Sequence, residues 1–590
     1  MNVAKRILLY LFLSLVLVLG IFVYINLRQD EPPLPPITEA YGDEPDYRDR
    51  AWWESTTVYQ IYPRSYQDSD GDGIGDLAGI ISRLDYIRDL GFETIWLSPF
   101  FESPQRDFGY DVSDYREADP VYGDSVQVDS LIREVHSRDM KIVFDLVLNH
   151  SSASHPWFQE SRRGEGNAKS DWYVWQEGDP DTPPSNWQSA LTTQGWHYDE
   201  GRGAWYYAAF LPFQPDLNWR NPEVKEAMFD LTRYWLKRGV DGFRLDIFNF
   251  IYEDSLLRDN PFSLRLLPTQ DLTKARWQHR KYNINHPDNF ELAKEFRGVL
   301  EEFDDPARFA VGEVFGSHPT LKRFLGEDRK GLNLVFLFEI AQLKWDAGFF
   351  REHIRAFEAF YPYPYQPTYV FSNHDRPRSI TLLGNDERRA RLLALLQFTV
   401  RGVPFTYQGE EIGMRTADIP LSKAKDPLPA ALRDILPGFL QSSWDELPFI
   451  FNRDNCRTPM QWTAGPQAGF TAAGVSPWLS VQSNAKSINV ATQQERDTSI
   501  LNTYRRLLSL RSEELPLKWG SLQLLEEGLP RAVLAFKRIY REEELITLIN
   551  FSGEQQILPF SGKIRYLVGT AESGDGTIIL AGNSGAILEM

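Results

Sequence analysis

The sequence predicts an α/β protein built on a parallel barrel, because short apolar runs alternate with helical patterns from Trp52 onward. The chain has 590 residues, which is too long for one core, so we expect two or three domains. Acidic or histidine-bearing motifs follow several of the predicted strands, at the end where barrels gather functional side chains. Eight runs are candidate strands, although periodicity alone also permits seven or nine: 58–62, 94–98, 141–147, 242–246, 309–314, 332–336, 368–372 and 403–408.

The best-defined strand reads VDGFRLDI and follows a helical pattern. Asn221 suits the N-cap of that helix, Pro222 suits its first position, and Gly239 suits its end. Residues two apart on a strand face the same way, so Arg244 and Asp246 share one face. A carboxylate held ionised beside a guanidinium is what a nucleophile requires. A buried structural Arg–Asp pair is the alternative interpretation.

The charge, the cysteine count and the aromatic content limit which kinds of partner and cross-link are expected. The formal net charge is −19, from 82 acidic and 63 basic side chains, and this argues against nucleic acid as a partner. Cys456 is the single cysteine, so no intramolecular disulfide is possible. Aromatic residues make up 14% of the chain, which suffices for a large core and also for a cleft in which sugar faces stack on rings.

The N-terminus predicts a membrane anchor over residues 1–28. Lys5 and Arg6 precede an uncharged, mostly apolar run at 7–27, which spans roughly 30 Å as a helix. A cleavable signal peptide is the alternative, and the body would then be secreted. The basic flank places the N-terminus in the cytoplasm and the body outside, in the periplasm or beyond the cell. Residues 29–50 form a proline-rich linker, with a stiff spacer at 31–36.

The remaining domains are predicted from changes in pattern. The barrel occupies 51–149 and 214–514, and the alternation stops in the segment 150–213, which is rich in Trp, Gly, Pro and Ser. That segment is far longer than an ordinary loop, so we expect a small inserted domain. From residue 515 to 590 short runs alternate with turn signals, which predicts a C-terminal β-sandwich domain.

An acidic loop follows the first strand and reads DSDGDGIGD from Asp68 to Asp76. Alternate carboxylates with glycines between them let a loop fold around a hard cation and present several oxygens to it. The loop begins like an EF-hand, but the twelfth position is Gly79 instead of glutamate. A solvated acidic turn is the alternative.

Five further motifs follow in order: GYDVSDY from Gly109, DLVLNH ending at His150, GFRLD ending at Asp246, VGEV around Glu313, and FSNHD ending at Asp375. Two later stretches, QPDLNW and RDNCRTPMQW, accompany them. Together these motifs resemble the α-amylase superfamily of retaining glycoside hydrolases (glycoside hydrolase family 13). Within it, the chain is most similar to the α-glucosidase and oligo-1,6-glucosidase branch.

This resemblance implies a (β/α)8 TIM barrel with an inserted B domain and a C-terminal antiparallel β domain. It makes Asp246 the nucleophile, Glu313 the acid/base and Asp375 the transition-state stabiliser. It also implies a Ca²⁺ site, which Mg²⁺ can occupy, formed by the side chains of Asp68, Asp70, Asp72 and Asp76 and the backbone carbonyl of Ile74.

The resemblance further implies a substrate pocket for a terminal glucose. Asp111 would bind the sugar hydroxyls, and Arg457 would pair with Asp111 to close the pocket. The other implied sugar contacts are Tyr110, His150, Arg244 and His374. A closed pocket implies exo-action on short oligosaccharides.

The function implied is an α-glucosidase that works through a covalent glucosyl-Asp intermediate. Ile247 follows the nucleophile, and a bulky aliphatic residue there goes with α-1,6 preference in resembling enzymes, with α-1,4 activity also permitted. A transglucosylase or isomerase that uses the same intermediate is the first alternative. A non-catalytic transporter heavy chain is the second, but the cysteine that such chains typically carry just outside the membrane is missing.

Overall fold

The computed structural model describes residues 3–27, 33–36, 46–191, 193–266, 268–303, 305–433, 445, 452–574 and 576–589. Its centre is one eight-stranded sheet in which every paired neighbour is parallel and the strand order follows the chain. The predicted TIM barrel is therefore confirmed. Its strands are Val58–Ile61, Thr94–Leu97, Lys141–Leu146, Gly242–Leu245, Phe309–Gly312, Leu334–Val335, Thr368–Val370 and Val403–Tyr407.

A threonine side chain links the sixth and seventh strands. The hydroxyl of Thr368 donates to the carbonyl of Val335 at 2.9 Å and accepts from the amide of Leu337 at 3.0 Å. These bonds stand where backbone ladder bonds would otherwise be. The sixth strand is shorter than the predicted run at 332–336.

Helices surround the barrel. Pro222–Lys237 begins at the predicted N-cap, because the Asn221 side chain accepts from the Glu223 amide at 2.9 Å, and Gly239 follows with φ of 101°. The other long helices are Ser125–His136, Pro287–Glu301, His318–Leu325, Ala347–Phe360, Glu387–Thr399 and Ile500–Glu513. Shorter helices are Leu77–Ser82, Leu84–Leu90, Pro156–Ser161, Ser379–Leu382, Pro427–Arg433, Val490–Gln494 and Leu515–Trp519.

Apolar side chains fill the interior of the barrel, and the polar side chains of the motifs lie at its carboxyl end. Trp96, Phe309 and Phe405 are among the buried residues of a cluster drawn from strands around the barrel. The polar residues of the predicted motifs follow at the ends of those strands, as expected for a TIM barrel.

The inserted segment carries a three-stranded antiparallel sheet, formed by Trp175–Glu177, Ala204–Tyr207 and Trp196–Asp199. Its aromatic core packs against Ile247 and Phe250, which directly follow the fourth barrel strand. This packing holds the inserted domain over the carboxyl end of the barrel.

The C-terminal domain consists of two antiparallel sheets with a shared apolar core. The larger sheet contains Ser521–Leu525, Val533–Tyr540, Glu543–Asn550, Ser584–Glu589 and Lys563–Val568, and the smaller one Gln556–Leu558, Thr577–Leu580 and Ala571–Gly574.

The N-terminal region contains the helix Val3–Leu27. Among the residues that the structure describes, no helix reaches the length and apolarity needed to cross a membrane, so the predicted transmembrane helix is not supported. Of the predicted linker, residues 29–32 and 37–45 lie outside the described residues.

Candidate active site

One arginine joins the acidic residues of three neighbouring strands. Arg244 is 1% exposed, and its Nη1 donates to Asp145 at 2.7 Å and to Asp246 at 2.6 Å. Its Nη2 donates to Glu313. A planar guanidinium fixes its donors in one fork, so Arg244 holds the carboxyl groups of Asp246 and Glu313 in a defined relation. This confirms the predicted placement of Arg244 and Asp246 on one face.

The side chains of Asp246 and Glu313 are 8% and 12% exposed, so both reach solvent only through the cleft. Burial raises the pKa of Glu313 to about 7. The positive charge of Arg244 opposes this rise, and the negative charge of Asp246 adds to it. Burial also raises the pKa of Asp246, and Arg244 opposes it. A carboxyl that keeps its proton near neutral pH is suited to act as a general acid.

The third acid, Asp375, has a different environment. Its side chain is 31% exposed, and Arg457 donates to it at 2.6 Å while Arg453 lies at 3.3 Å. Burial opposes its ionisation, but His374 at 3.1 Å and the two guanidinium groups outweigh that effect and hold the pKa of Asp375 well below its usual range. Asp375 is therefore a fixed negative charge beside two carboxyls that bind protons more readily.

Histidine and tyrosine rings form the floor beside these acids. Tyr110 stacks on His374 with ring centroids 5.4 Å apart, and its hydroxyl lies 2.6 Å from Nε2 of His374. The Gln60 amide donates to Nδ1 of His374 at 2.8 Å, which leaves the proton on Nε2, facing Tyr110 and Asp375. Buried His150 lies with Nε2 3.2 Å from the Tyr110 carbonyl, and burial lowers the pKa of His150 to about 4.

The predicted pair between Arg457 and Asp111 is not formed. Asp111 has no exposed surface and accepts from the Ser103 hydroxyl at 2.9 Å and the Asp107 amide at 2.9 Å, so it braces its own loop. Burial raises the pKa of Asp111 to about 6. A carboxylate in this position supports the pocket wall.

Sequence reasoning missed the pair that does cross the pocket. Asp107 accepts from Nη2 of Arg453 at 2.6 Å, and the same guanidinium contacts Asp426 at 2.7 Å and Asp375 at 3.3 Å. The sequence did contain this arginine as a candidate, because Arg453 is the first residue of the RDNCRTPMQW motif, four residues before Arg457. Asp107 likewise precedes Asp111 by four residues.

A further cation lies on the side of Glu313. Arg376 directly follows Asp375, and its guanidinium lies over the Phe338 ring at 4.4 Å from the centroid. Burial lowers the pKa of Arg376, while the charges of Glu313 and Asp375 oppose that effect. Arg376 therefore adds a buried positive charge close to the carboxyl groups of Glu313 and Asp375.

The acidic loop brings three of its predicted metal ligands together. Carboxylate oxygens of Asp68, Asp70 and Asp76 lie within 4.8 Å of one another. The Asp72 carboxylate instead accepts from the Ile74 amide at 2.7 Å. Three hard oxygen donors in this space suit Ca²⁺ or Mg²⁺, which prefer carboxylate and carbonyl oxygens. Thr471 and Phe470 bond to Asp68, which ties the loop to the segment at 470–478.

The chain matches known proteins over most of its length. Residues 60–520 match the family described as "Alpha amylase, catalytic domain". A probable alpha-glucosidase of Rhizobium meliloti (strain 1021) is 40% identical over 522 residues, which cover 86% of this chain and 90% of that protein. An oligo-1,6-glucosidase of Bacillus cereus is 36% identical over 546 residues, covering 88% and 94%. The crystal structure of the trehalulose synthase MutB from Pseudomonas mesoacidophila MX-45 superposes with a TM-score of 0.83 at 30% identity, covering 92% of this chain and 99% of that one. With this fold and these acids at the strand ends, the chain belongs to the α-amylase family of glycoside hydrolases.

Proposed function

We propose that this protein is a retaining, exo-acting α-glucosidase that removes terminal glucose from short oligosaccharides. The observation that carries the proposal is the fork of Arg244, which holds Asp246 and Glu313 together. Retaining glycosidases need two carboxyl groups about 5–5.5 Å apart, too close to leave room for a water between them. One guanidinium that bridges both groups enforces a spacing of this kind.

The chemistry then follows in two steps. The Asp246 carboxylate attacks the anomeric carbon, while Glu313 gives its proton to the departing glycosidic oxygen. Water enters next, gives a proton to Glu313 and attacks the same carbon, which releases α-glucose and restores Asp246. Asp375 stays ionised through both steps, and its charge stabilises the positive charge that develops on the sugar ring.

The pair of Asp107 with Arg453 supports exo-action. It joins the loop after the second barrel strand to the late loop at 452–457, beside Asp375. A buried ion pair across one end of a cleft leaves space for a terminal sugar and none for a longer chain beyond it. The relatives named as alpha-glucosidase and oligo-1,6-glucosidase agree with short substrates, and we propose α-1,6 bonds as favoured and α-1,4 bonds as permitted.

Product analysis tests this proposal. Isomaltose, maltose, trehalose and sucrose are supplied side by side, and proton NMR follows the first product formed. We expect α-glucose at first, with isomaltose the best substrate and water the main acceptor. Initial β-glucose contradicts retention, and a product sugar with a new glycosidic bond as the main product favours the transglucosylase or isomerase.

We also propose that the acidic loop binds one structural Ca²⁺ or Mg²⁺ through Asp68, Asp70, Asp72, Asp76 and the carbonyl of Ile74. The clustered carboxylates of three of these residues support the site. The ion would neutralise their mutual repulsion and fix the loop against residues 470–478, so its role is stability and not chemistry. Isothermal titration with Ca²⁺ into chelator-treated protein tests it, and an Asp70→Asn variant that binds as tightly as the wild type contradicts it.

We further propose that residues 1–28 attach the enzyme to a membrane with its body outside the cytoplasm. The uncharged run at 7–27 and the preceding Lys5 and Arg6 support this. Protease added to intact cells should release an active body. A mature N-terminus beyond Leu27 would show that the segment is a cleaved signal peptide.

A further inference from the structure

One loop on the catalytic domain exposes an unusual amount of apolar surface. Within residues 256–266 and 268–277, called the apolar loop here, Leu256 and Phe262 are 73% and 72% exposed, and Leu264, Leu266 and Trp277 are 53%, 43% and 39% exposed. The other large apolar side chains exposed among the described residues beyond 46 are scattered singly over the body. Contiguous apolar patches on a soluble body mark sites of interaction.

The N-terminal helix ends on this loop. The Asn26 side chain donates to the Leu264 carbonyl at 3.3 Å and accepts from the Leu266 amide at 2.7 Å. The guanidinium of Arg265 donates to the Asn26 carbonyl at 3.0 Å, and the rings of Phe22 and Trp277 lie 5.8 Å apart. The apolar helix and the apolar loop therefore form one continuous surface.

This surface lies at the catalytic end of the barrel. The apolar loop belongs to the long connection that begins after Asp246, at the carboxyl end of the fourth strand. The indole of Trp187, in the inserted domain, donates to the Arg258 carbonyl at 2.8 Å. Gln270 bonds to Gln342, which follows the sixth strand. The apolar loop thus forms part of the rim around the mouth of the cleft.

The helix indicates what kind of partner fits. Residues 12–20 are exposed at every consecutive position, and consecutive positions of a helix point to all sides. A protein groove covers one side of a helix, whereas the apolar interior of a bilayer covers every side at once. An apolar phase that covered this helix would also reach the loop on which the helix ends.

We propose that the apolar loop lies in the surface of a lipid bilayer, so that the mouth of the catalytic cleft faces the membrane. This inference rests on the membrane attachment proposed above, and it adds which face of the enzyme the lipid meets. Its consequence is that substrates reach the cleft along the membrane surface. The exposed side chains Phe262, Leu264 and Leu266 would enter the interface, with Trp277 at the level of the headgroups.

Trp277 provides the probe for a test on the full chain. The protein is reconstituted into vesicles of phosphatidylcholine and phosphatidylglycerol, with or without brominated acyl chains that quench nearby indoles. The difference between wild type and Trp277→Phe isolates the emission of Trp277. We expect that emission to be quenched in brominated vesicles, and quenching to be lost in the triple variant Phe262→Ser, Leu264→Ser, Leu266→Ser.

The control is Ile557→Ser, at an apolar residue of the C-terminal domain whose exposure of 63% lies within the range of the three loop residues, and it should leave quenching unchanged. Hydrolysis of isomaltose in detergent at the wild-type rate checks that the triple variant is folded. A chain that floats with the vesicles while Trp277 stays unquenched overturns the orientation but leaves the attachment intact. A chain that does not float overturns both. Dimers in detergent that the triple variant abolishes would assign the surface to a second copy and also overturn the proposal.

Discussion

The charge of Asp246 should control the pKa of Glu313, and Asp246→Asn tests this directly. In the free enzyme the negative charge of Asp246 favours a protonated Glu313, as an acid requires. In the proposed mechanism, Asp246 loses its charge once it carries a glucosyl group, and Glu313 then acts as a base. Asparagine imitates the neutral state of Asp246 without a change in size. The substitution should therefore lower the pKa of Glu313.

The magnitude follows from the bridging geometry. Two carboxylates about 5.5 Å apart interact by about 3 kcal/mol at an effective dielectric constant near 20. That energy corresponds to a shift of about two pH units. The titration midpoint of Glu313 in the variant should therefore lie about two pH units below its midpoint in the wild type. Arg244 acts in the same direction, because it loses one carboxylate partner and attracts the other more strongly.

Carbon-13 NMR of glutamate-labelled protein measures this shift. The Glu313 carboxyl signal is assigned by its loss in Glu313→Gln, and its titration is compared between wild type and Asp246→Asn. Glu410 serves as an internal control, because burial also raises its pKa to about 7 but its bonds run to Ser379 and the Tyr407 amide. An unchanged Glu313 midpoint would refute the electrostatic switch. Equal shifts of both glutamates would indicate a general structural change.

Three further outcomes are expected. Asp107→Asn leaves Arg453 with fewer carboxylate partners and should lower kcat/KM for isomaltose by about 10²-fold or more. The control Asp129→Asn, at an exposed aspartate that pairs with Arg238 on the helical surface, should leave kcat/KM unchanged. Ile247→Ala should raise the maltose-to-isomaltose ratio of kcat/KM by roughly 10–200-fold, and an unchanged ratio places linkage selection elsewhere. Removal of divalent ions with EDTA should lower the Tm of the wild type, with recovery on adding Ca²⁺, and equal Tm values before and after would contradict a structural ion in the acidic loop.

The barrel was predictable because its strands obey a local rule. Each strand is a short run that is buried throughout, apart from Lys141 at the start of the third, and all eight candidate runs contain a strand of the structure. The helix before Asp246 was equally predictable, since Asn221 caps its N-terminus and Gly239 follows its C-terminus with a positive φ. The hydrogen bonds of Thr368 could not be predicted, because a side chain that takes the place of a backbone bond between strands does not alter the periodic pattern of the sequence.

The convergence of the acids was predictable at the strand ends, whereas the pairs formed by the loop residues were not. Asp246, Glu313 and Asp375 converge because barrel geometry fixes where strands end. No such geometry fixes which aspartate of the loop at 103–111 faces the cleft. Asp111 turns inward and accepts backbone amides, whereas Asp107 reaches Arg453. Both are aspartates in one short loop, so only the loop path distinguishes them.

The turn after Asp246, the proposed nucleophile, shows how the fold maintains the spacing between Asp246 and Glu313. Ile247 has φ of 38° and ψ of 42°, a left-handed backbone that costs a β-branched residue about 1–2 kcal/mol. The turn lets the Phe248 amide donate to the Glu313 carbonyl at 2.9 Å, while the Glu313 amide donates to the Leu245 carbonyl at 2.9 Å. Backbone bonds thus hold Asp246 and Glu313 side by side from both directions. Packing of Ile247 in the aromatic core of the inserted domain offsets the strain, so that domain stabilises the catalytic spacing as well as covering the cleft.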